Sequence, residues 1–204
     1  MDYQQRIIEA SAQLFRKYGF RNVTVDEIAR EAGISKRSLY ETFENKEVLI
    51  KCVVDQHIQD SEDDLNSVAK SAVNAIEENI QLLKKSLKLF EEIDQRSLLE
   101  LQRYYPEAWE KVVNHRRGFL LQYLVKNLRR GKEENLYRQD LKEEVIARMR
   151  LAQSHFIFDP EFFPQQKVDL KEATYEIIVH YIYGICSEDG LKEADKQFAI
   201  EGLL

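Results

Sequence analysis

The sequence is short both of residues that interrupt helices and of residues that cross-link chains. Seven glycines and three prolines in 204 residues leave few obligatory breaks. The two cysteines, Cys52 and Cys186, lie far apart and form no CxxC pair, which argues against a disulfide framework and a structural zinc site. Four histidines, His57, His115, His155 and His180, show no HExxH-like ligand spacing, so no metal is expected. No run approaches the roughly 20 apolar residues that span a bilayer. No leader is expected either, because residues 1–16 already carry Asp2, Arg6, Glu9 and Arg16. A nucleophile elbow and a glycine-rich phosphate loop are both missing, so no cofactor is expected and an enzyme is the remotest reading. The 44% apolar and 32% charged fractions describe a soluble globular protein of one large or two modest domains, expected in the cytoplasm.

What the chain does have is helical periodicity. Apolar residues recur at Ile7, Leu14, Tyr18, then Val25, Ile28, Ala32, and later at Ile76, Ile80, Leu83, Leu87, Phe90 and at Phe119, Tyr123, Leu128. No alternating run of useful length argues for a strand. The expected fold is all-α, with nine or ten helices. Pro106 suits the first turn of a helix reaching about residue 130 and ending at Gly131, followed by a polar connection to Asp140. Further helices are expected over 141–158 and 170–185, separated by a loop with Pro160 and Pro164, and Gly190 is expected to set off a final amphipathic piece.

The first fifty residues are the best punctuated. Gly19 follows a helix ending near Tyr18 as a C′ residue. Thr24-Val-Asp-Glu27 fits a capping box at the start of a second, short helix. Gly33 supplies the left-handed turn that stops it, Ser35 caps a third helix through about Phe43, and Asn45 can cap a fourth. Helix, glycine turn, helix is helix-turn-helix geometry. On the third helix Leu39 and Phe43 share one face, while Arg37, Ser38 and Glu41 point away from it. Such a helix suits a DNA major groove, with Arg37 placed to pair bidentately with guanine. Lys36 and the Tyr40 hydroxyl flank it at backbone height, and Thr24 and Lys46 lie in first helical turns, where phosphate is favoured.

Charge agrees weakly. The net charge is −6, yet residues 1–51 hold nine Lys/Arg against eight Asp/Glu, and the rest hold 21 against 28. Only the N-terminal quarter does not repel phosphate on average. On charge alone, the Lys36-Arg37 pair reads more readily as a solvated face with an Arg37–Glu41 i,i+4 pair, and it is the capping, turn glycine and anchor spacing that favour DNA.

The stretch TVDEIAREAGISKRSLYETFENKEVLI, with IIEASAQLFRKYGFRNV before it, closely resembles the DNA-binding segment of tetracycline-repressor-type (TetR) regulators. The likeness covers about 50 residues in register; NLYRQDLKEEVIARMRLAQSHFIFDPEFFP resembles the C-terminal part of some members more faintly. The resemblance implies a helix-turn-helix DNA-binding domain at 1–47, with its motif at 24–43, and a larger helical effector-binding and dimerisation domain at 48–204. It implies a homodimer on a palindromic operator in double-stranded DNA, usually a repressor released by a small-molecule effector. Carried over position by position, the DNA contacts fall on Thr24, Ser35, Lys36, Arg37, Ser38, Tyr40, Thr42 and Lys46. Two positions depart from the pattern: many members have His where this chain has Thr42, and Glu41 sets an outward carboxylate among phosphate-facing groups.

One recognition helix reads too few bases alone, so two half-sites and a dimer are required. The stretch 175–185 is apolar nearly all round and needs two covers, and Val145, Ile146, Met149, Ala152 and Phe156 make a second candidate helix. The resemblance puts a four-helix dimer interface at these two places, with Val145, Met149, Ala152, Phe156, Ile178, Tyr181, Ile182 and Ile185 as candidates. Tyr104, Tyr105, Trp109, His115, Phe119 and Tyr123 are dense enough to line an effector cavity, although such a stripe is more often ordinary core. The alternative to a regulator is an interaction module of the same fold that answers to a protein partner or has lost operator binding. Glu41 is the feature that keeps that alternative open.

Overall fold

The computed structural model describes residues 3–92, 97–157, 159, 161–164 and 168–203, with the side chains of 89–92 and 155 outside the description. The expectations for Phe90, His155, Phe158 and Pro160 therefore lie outside the described side chains or residues. In chain order the helices are α1 (Tyr3–Tyr18), α2 (Val25–Glu31), α3 (Lys36–Thr42), α4 (Lys46–Ser71), α5 (Ala75–Glu92), α6 (Ser97–Tyr104) and α7 (Pro106–His115). A π-helical segment, Arg116–Leu120, joins α7 to α8 (Leu121–Glu133), followed by α9 (Glu143–Phe156), α10 (Leu170–Ile185) and α11 (Glu188–Ile200). The fold is all-α: among the described residues the β-structure is one isolated bridge between Tyr137 and Cys186. No helix among them is long and apolar enough to cross a membrane.

The chain forms two compact units, Met1–Ser61 with Glu92–His115, and Glu62–Glu91 with Arg116–Leu204. In the first, Ile7, Phe15, Ile28, Leu39, Leu49 and Ile50 form the core, and Leu101 and Ala108 of α6 and α7 join it. Each fully buried aliphatic or aromatic side chain of this set contributes about 1.5–3 kcal/mol relative to exposure. Arg21 donates its backbone N–H to Glu100 at 3.1 Å, so the loop after α1 is tied to α6.

The second unit centres on Ile76, Ile80, Leu83, Leu128, Tyr137, Ile182 and Phe198. Here two glycines differ from their expected use. Gly131 does not end a helix: α8 continues to Glu133, and Asn135 takes the left-handed conformation at φ 58°. Gly131 is needed because a Cβ there would lie 2.0 Å from the Tyr137 ring. The connection after it is therefore no mere polar linker, since Tyr137 is 1% exposed and donates its hydroxyl to the Ala75 carbonyl at 2.8 Å. Gly190 likewise does not separate α11 but sits in its first turn, where a Cβ would lie 1.9 Å from the Leu136 carbonyl oxygen. The break falls at Cys186-Ser187, and Ser187 caps α11. Burial pushes the Cys186 thiol up to about 12, with Asp195 adding to it, which keeps it a neutral core group.

Candidate nucleic-acid interface

The helix-turn-helix forms as its local signals dictate. The Thr24 hydroxyl accepts from Glu27 N–H at 3.3 Å, and the Glu27 carboxylate accepts from Thr24 N–H at 2.7 Å, completing the capping box. Gly33 turns at φ +65°, and Ile34 donates back to the Ala29 carbonyl at 2.9 Å. Arg6 of α1 donates to the Ala32 carbonyl at 2.6 Å, fixing the turn from the opposite side. Ser35 accepts from Ser38 N–H at 3.0 Å and starts α3. Asn45 accepts from Val48 N–H at 3.0 Å and starts α4.

The box makes a pH prediction. Hydrogen bonds from Thr24, backbone first, hold the Glu27 carboxyl below its ordinary 4.5. A depressed carboxyl contributes stability above pH 4.5 that is lost as pH falls through its lower folded value. Thr24→Ala is expected to lower Tm by roughly 2–4 °C at pH 7. The gap from wild type should close in melts taken progressively below pH 4.5.

Leu39 and Phe43 anchor α3 at 0% and 3% exposure, so its other face is fixed outward. Lys36, Arg37, Tyr40, Glu41 and Thr42 are exposed there, and Ser38 and Lys46 are half-buried. Both cations on α3 already hold an acid. Lys36 meets Asp26 of α2 at 3.0 Å, and that hydrogen bond raises its pKa. Arg37 meets Glu41 at 2.8 Å with its side chain 87% exposed. Thr42 donates its hydroxyl to the Ser38 carbonyl at 2.9 Å, keeping its lone pairs outward. Lys46 is turned inward instead: its ammonium donates to the carbonyls of Phe20 and Val23 at 2.5 Å each, and burial lowers its pKa. It clamps the loop that precedes Thr24.

The remaining candidates separate. Tyr105 and Trp109 pack on the core of the first unit, Tyr104 stacks on Arg21 at 4.4 Å, and His115 ends α7. Phe119 and Tyr123 belong to the second unit, where their rings stack at 6.2 Å and line a cavity of about 250 Å³. Val145, Met149 and Phe156 are 51%, 55% and 47% exposed, and Ala152 is exposed with them along one stripe of α9. Ile178, Tyr181, Ile182 and Ile185 face the second unit's own core. The outward side of α10 carries Glu176, His180 and Gly184.

Residues 7–53 match the family described as bacterial regulatory proteins, tetR family. The chain is 23% identical over 195 residues to the uncharacterized HTH-type transcriptional regulator YvaF of Bacillus subtilis, spanning 94% of this chain and 98% of that protein. The helix-turn-helix is a TetR-family DNA-binding domain. Its fold is shared along its length with a TetR-family regulator from Agrobacterium tumefaciens (TM-score 0.73, 18% identity, 91% and 98% of the two chains). It is also shared with the transcriptional regulator FadR from Bacillus subtilis in complex with stearoyl-CoA (TM-score 0.66, 20% identity, 89% and 98%).

Around this domain and in the second unit, two partners escaped the sequence. Asp26 is ten residues from Lys36 and meets it only because the glycine turn folds α2 across α3. Glu78, which Arg130 meets at 3.2 Å, sits in the polar stretch Glu77-Glu78-Asn79 between Ile76 and Ile80, where nothing in the sequence marks it as buried. On α3 the Glu41 carboxylate offsets the charge of Arg37 and adds a negative charge to the exposed face. Glu41→Gln is expected to raise affinity for random duplex roughly threefold to tenfold at low salt. A loss of specific affinity in the same titration would instead put Glu41 on a cytosine amino group.

Proposed function

We propose that this chain is a homodimeric TetR-family repressor that grips a palindromic operator with two copies of α3 and releases it when a small molecule occupies the second unit. The observation that carries the reading is the surface of α3, where two buried anchors leave Lys36, Arg37 and Tyr40 outward together. Arg37 reads a guanine after leaving Glu41, Lys36 and Tyr40 hold backbone, and Thr24, Ser35, Ser38 and Thr42 add hydroxyls beside it. Lys46 acts on this face indirectly, by ordering the loop before Thr24. The division of labour is residues 1–47 for DNA and 48–204 for effector and dimer.

The apolar stripe of α9 supports a second copy as its cover, because an exposed row of Val145, Met149, Ala152 and Phe156 is a poor solvent face. The outward side of α10 completes the interface, with Gly184 permitting close approach. Met149→Glu is expected to convert a two-copy particle to one copy by light scattering without unfolding it, since Met149 is 55% exposed in the single chain. A particle of unchanged mass would contradict this placement.

FadR, which shares the fold, was solved holding stearoyl-CoA. By that likeness the second unit takes the effector, with Phe119 and Tyr123 in its wall, and a ligand that fits one state better than another shifts the population off DNA. Footprinting on DNA upstream of the protein's own gene tests the reading. It should protect two half-sites with centres about 34–36 Å apart or a multiple of that spacing. A single unpaired footprint would contradict the dimer. A second reading, an interaction module that has lost operator binding, is favoured only by the Arg37–Glu41 pair, and the Glu41→Gln titration separates the two.

A further inference from the structure

The cavity in the second unit is lined by two buried polar groups that face each other, Glu78 and Tyr123. Tyr123 is 7% exposed, and its hydroxyl completes no well-formed hydrogen bond among the described residues but faces the Glu78 carboxylate, which adds to burial in raising its pKa. Buried hydroxyls are ordinarily paired. Glu78 is 3% exposed, and Arg130 reaches one of its two carboxylate oxygens, Oε2, at 3.2 Å. Both groups line the cavity, with the Phe119 ring beside them.

Arg130 is not free to meet a ligand. It donates Nε to Glu134 at 2.7 Å, Nη1 to the Ala69 carbonyl at 3.3 Å and Nη2 to the Ala72 carbonyl at 2.9 Å, so it closes the C-terminal end of α4. Arg130, Glu78 and Glu134 together leave one net negative charge in this cluster. Lys126 also lines the cavity, but it is exposed, where salt screens it. The matching guest offers two or more donors from one atom, one positive charge, and an apolar body for an aromatic wall.

We propose that this cavity binds a compact primary amine, whose ammonium sits between the Glu78 carboxylate and the Tyr123 hydroxyl and donates to both while its carbon body lies against Phe119. The proposal rests on the effector reading above and names the chemical class of the effector. A volume of about 250 Å³ admits a single small aromatic or branched aliphatic amine.

Calorimetry on the full chain with 2-phenylethylamine, 2-phenylethanol and 3-phenylpropanoate tests it. The amine should bind at least about tenfold more tightly than the alcohol, and the carboxylate more weakly still. Glu78→Gln keeps the shape and an acceptor for Arg130, and it should abolish the preference of amine over alcohol. Should that variant fold poorly, Tyr123→Phe serves, because it removes only the hydroxyl. It should weaken the amine roughly threefold to tenfold while leaving Tm unchanged or raised. Binding of no probe, a carboxylate bound as tightly as the amine, or a preference that survives both variants would overturn the site. The same amine added to the DNA complex separates the two readings. Glu78-dependent binding with no change in DNA affinity upholds the amine site and removes the effector role. DNA release by a ligand indifferent to Glu78→Gln and Tyr123→Phe keeps an effector role and removes this site.

Discussion

Arg37→Ala is expected to lower operator affinity about tenfold to a hundredfold while leaving the melting point within about a degree of wild type. The two halves of that expectation come from different links of the same geometry. Arg37 sits on a helix whose position is set by Leu39 and Phe43, both essentially unexposed, so truncation at Arg37 leaves α3 where it was. Its one partner, Glu41, is an i,i+4 neighbour with 61% of its side chain exposed, and an exposed pair of that kind adds little to stability. The guanidinium fork is therefore free to contribute to recognition. It gives up Glu41 on binding, which reduces the gain from a new partner but does not cancel it, because a guanine edge offers two acceptors in one plane. Electrophoretic titration of the same fragment with both proteins, beside a thermal melt, checks both halves. An equal loss of DNA affinity and of Tm would mean that Arg37 holds the fold and not the operator.

Gly131→Ala is expected to reverse the usual sign of a glycine-to-alanine change in a helix. At an open position the exchange stabilises by about 1 kcal/mol. At Gly131 the new Cβ would lie 2.0 Å, 2.2 Å and 2.5 Å from three ring carbons of Tyr137. The ring has no room to retreat. Tyr137 is 1% exposed, its hydroxyl donates to the Ala75 carbonyl at 2.8 Å, and Asn79 donates to that hydroxyl at 2.8 Å. Moving it would break a buried network that also includes Asn127, 2.8 Å from Asn79. Overpacking with partial loss of those bonds should cost about 3 kcal/mol, or roughly 6–12 °C in Tm for a chain of this size. Differential scanning calorimetry of the variant reads it directly. A raised Tm would mean that Tyr137 does not seat against α8.

The readable parts of this chain are those set by neighbours a few residues away. Gly19, the Thr24–Glu27 box, Gly33, Ser35 and Asn45 each act within one turn of themselves, and all five adopt the geometry their residue types imply. The α9 stripe is similar, because its period is local and its residues are exposed, although Phe156 also meets the Phe162 ring edge-on at 5.5 Å. Contacts that reach beyond a single turn were hidden. Gly131 and Gly190 look like ordinary helix ends until the chain brings Tyr137 and the Leu136 carbonyl against them. Lys46 reads as an outward cation because the carbonyls of Phe20 and Val23 lie more than twenty residues away. The apolar run of α10 marks two covered sides without saying which is internal, and Ile178, Tyr181, Ile182 and Ile185 prove to face the chain's own core. The aromatic set from Tyr104 to Tyr123 straddles a division into two units that periodicity does not reveal.

The central claim is that two α3 surfaces bind one operator through charge and base contacts together. Binding of the purified protein to DNA from its own upstream region, measured across a salt series beside random duplex of equal length, tests it most directly. With roughly eight phosphates neutralised per dimer, log affinity should fall with a slope of about −7 against log salt. The upstream fragment should stay preferred at every salt concentration, and Arg37→Ala should remove that preference. Equal affinity for the upstream fragment and random duplex, unchanged by Arg37→Ala, would contradict the account.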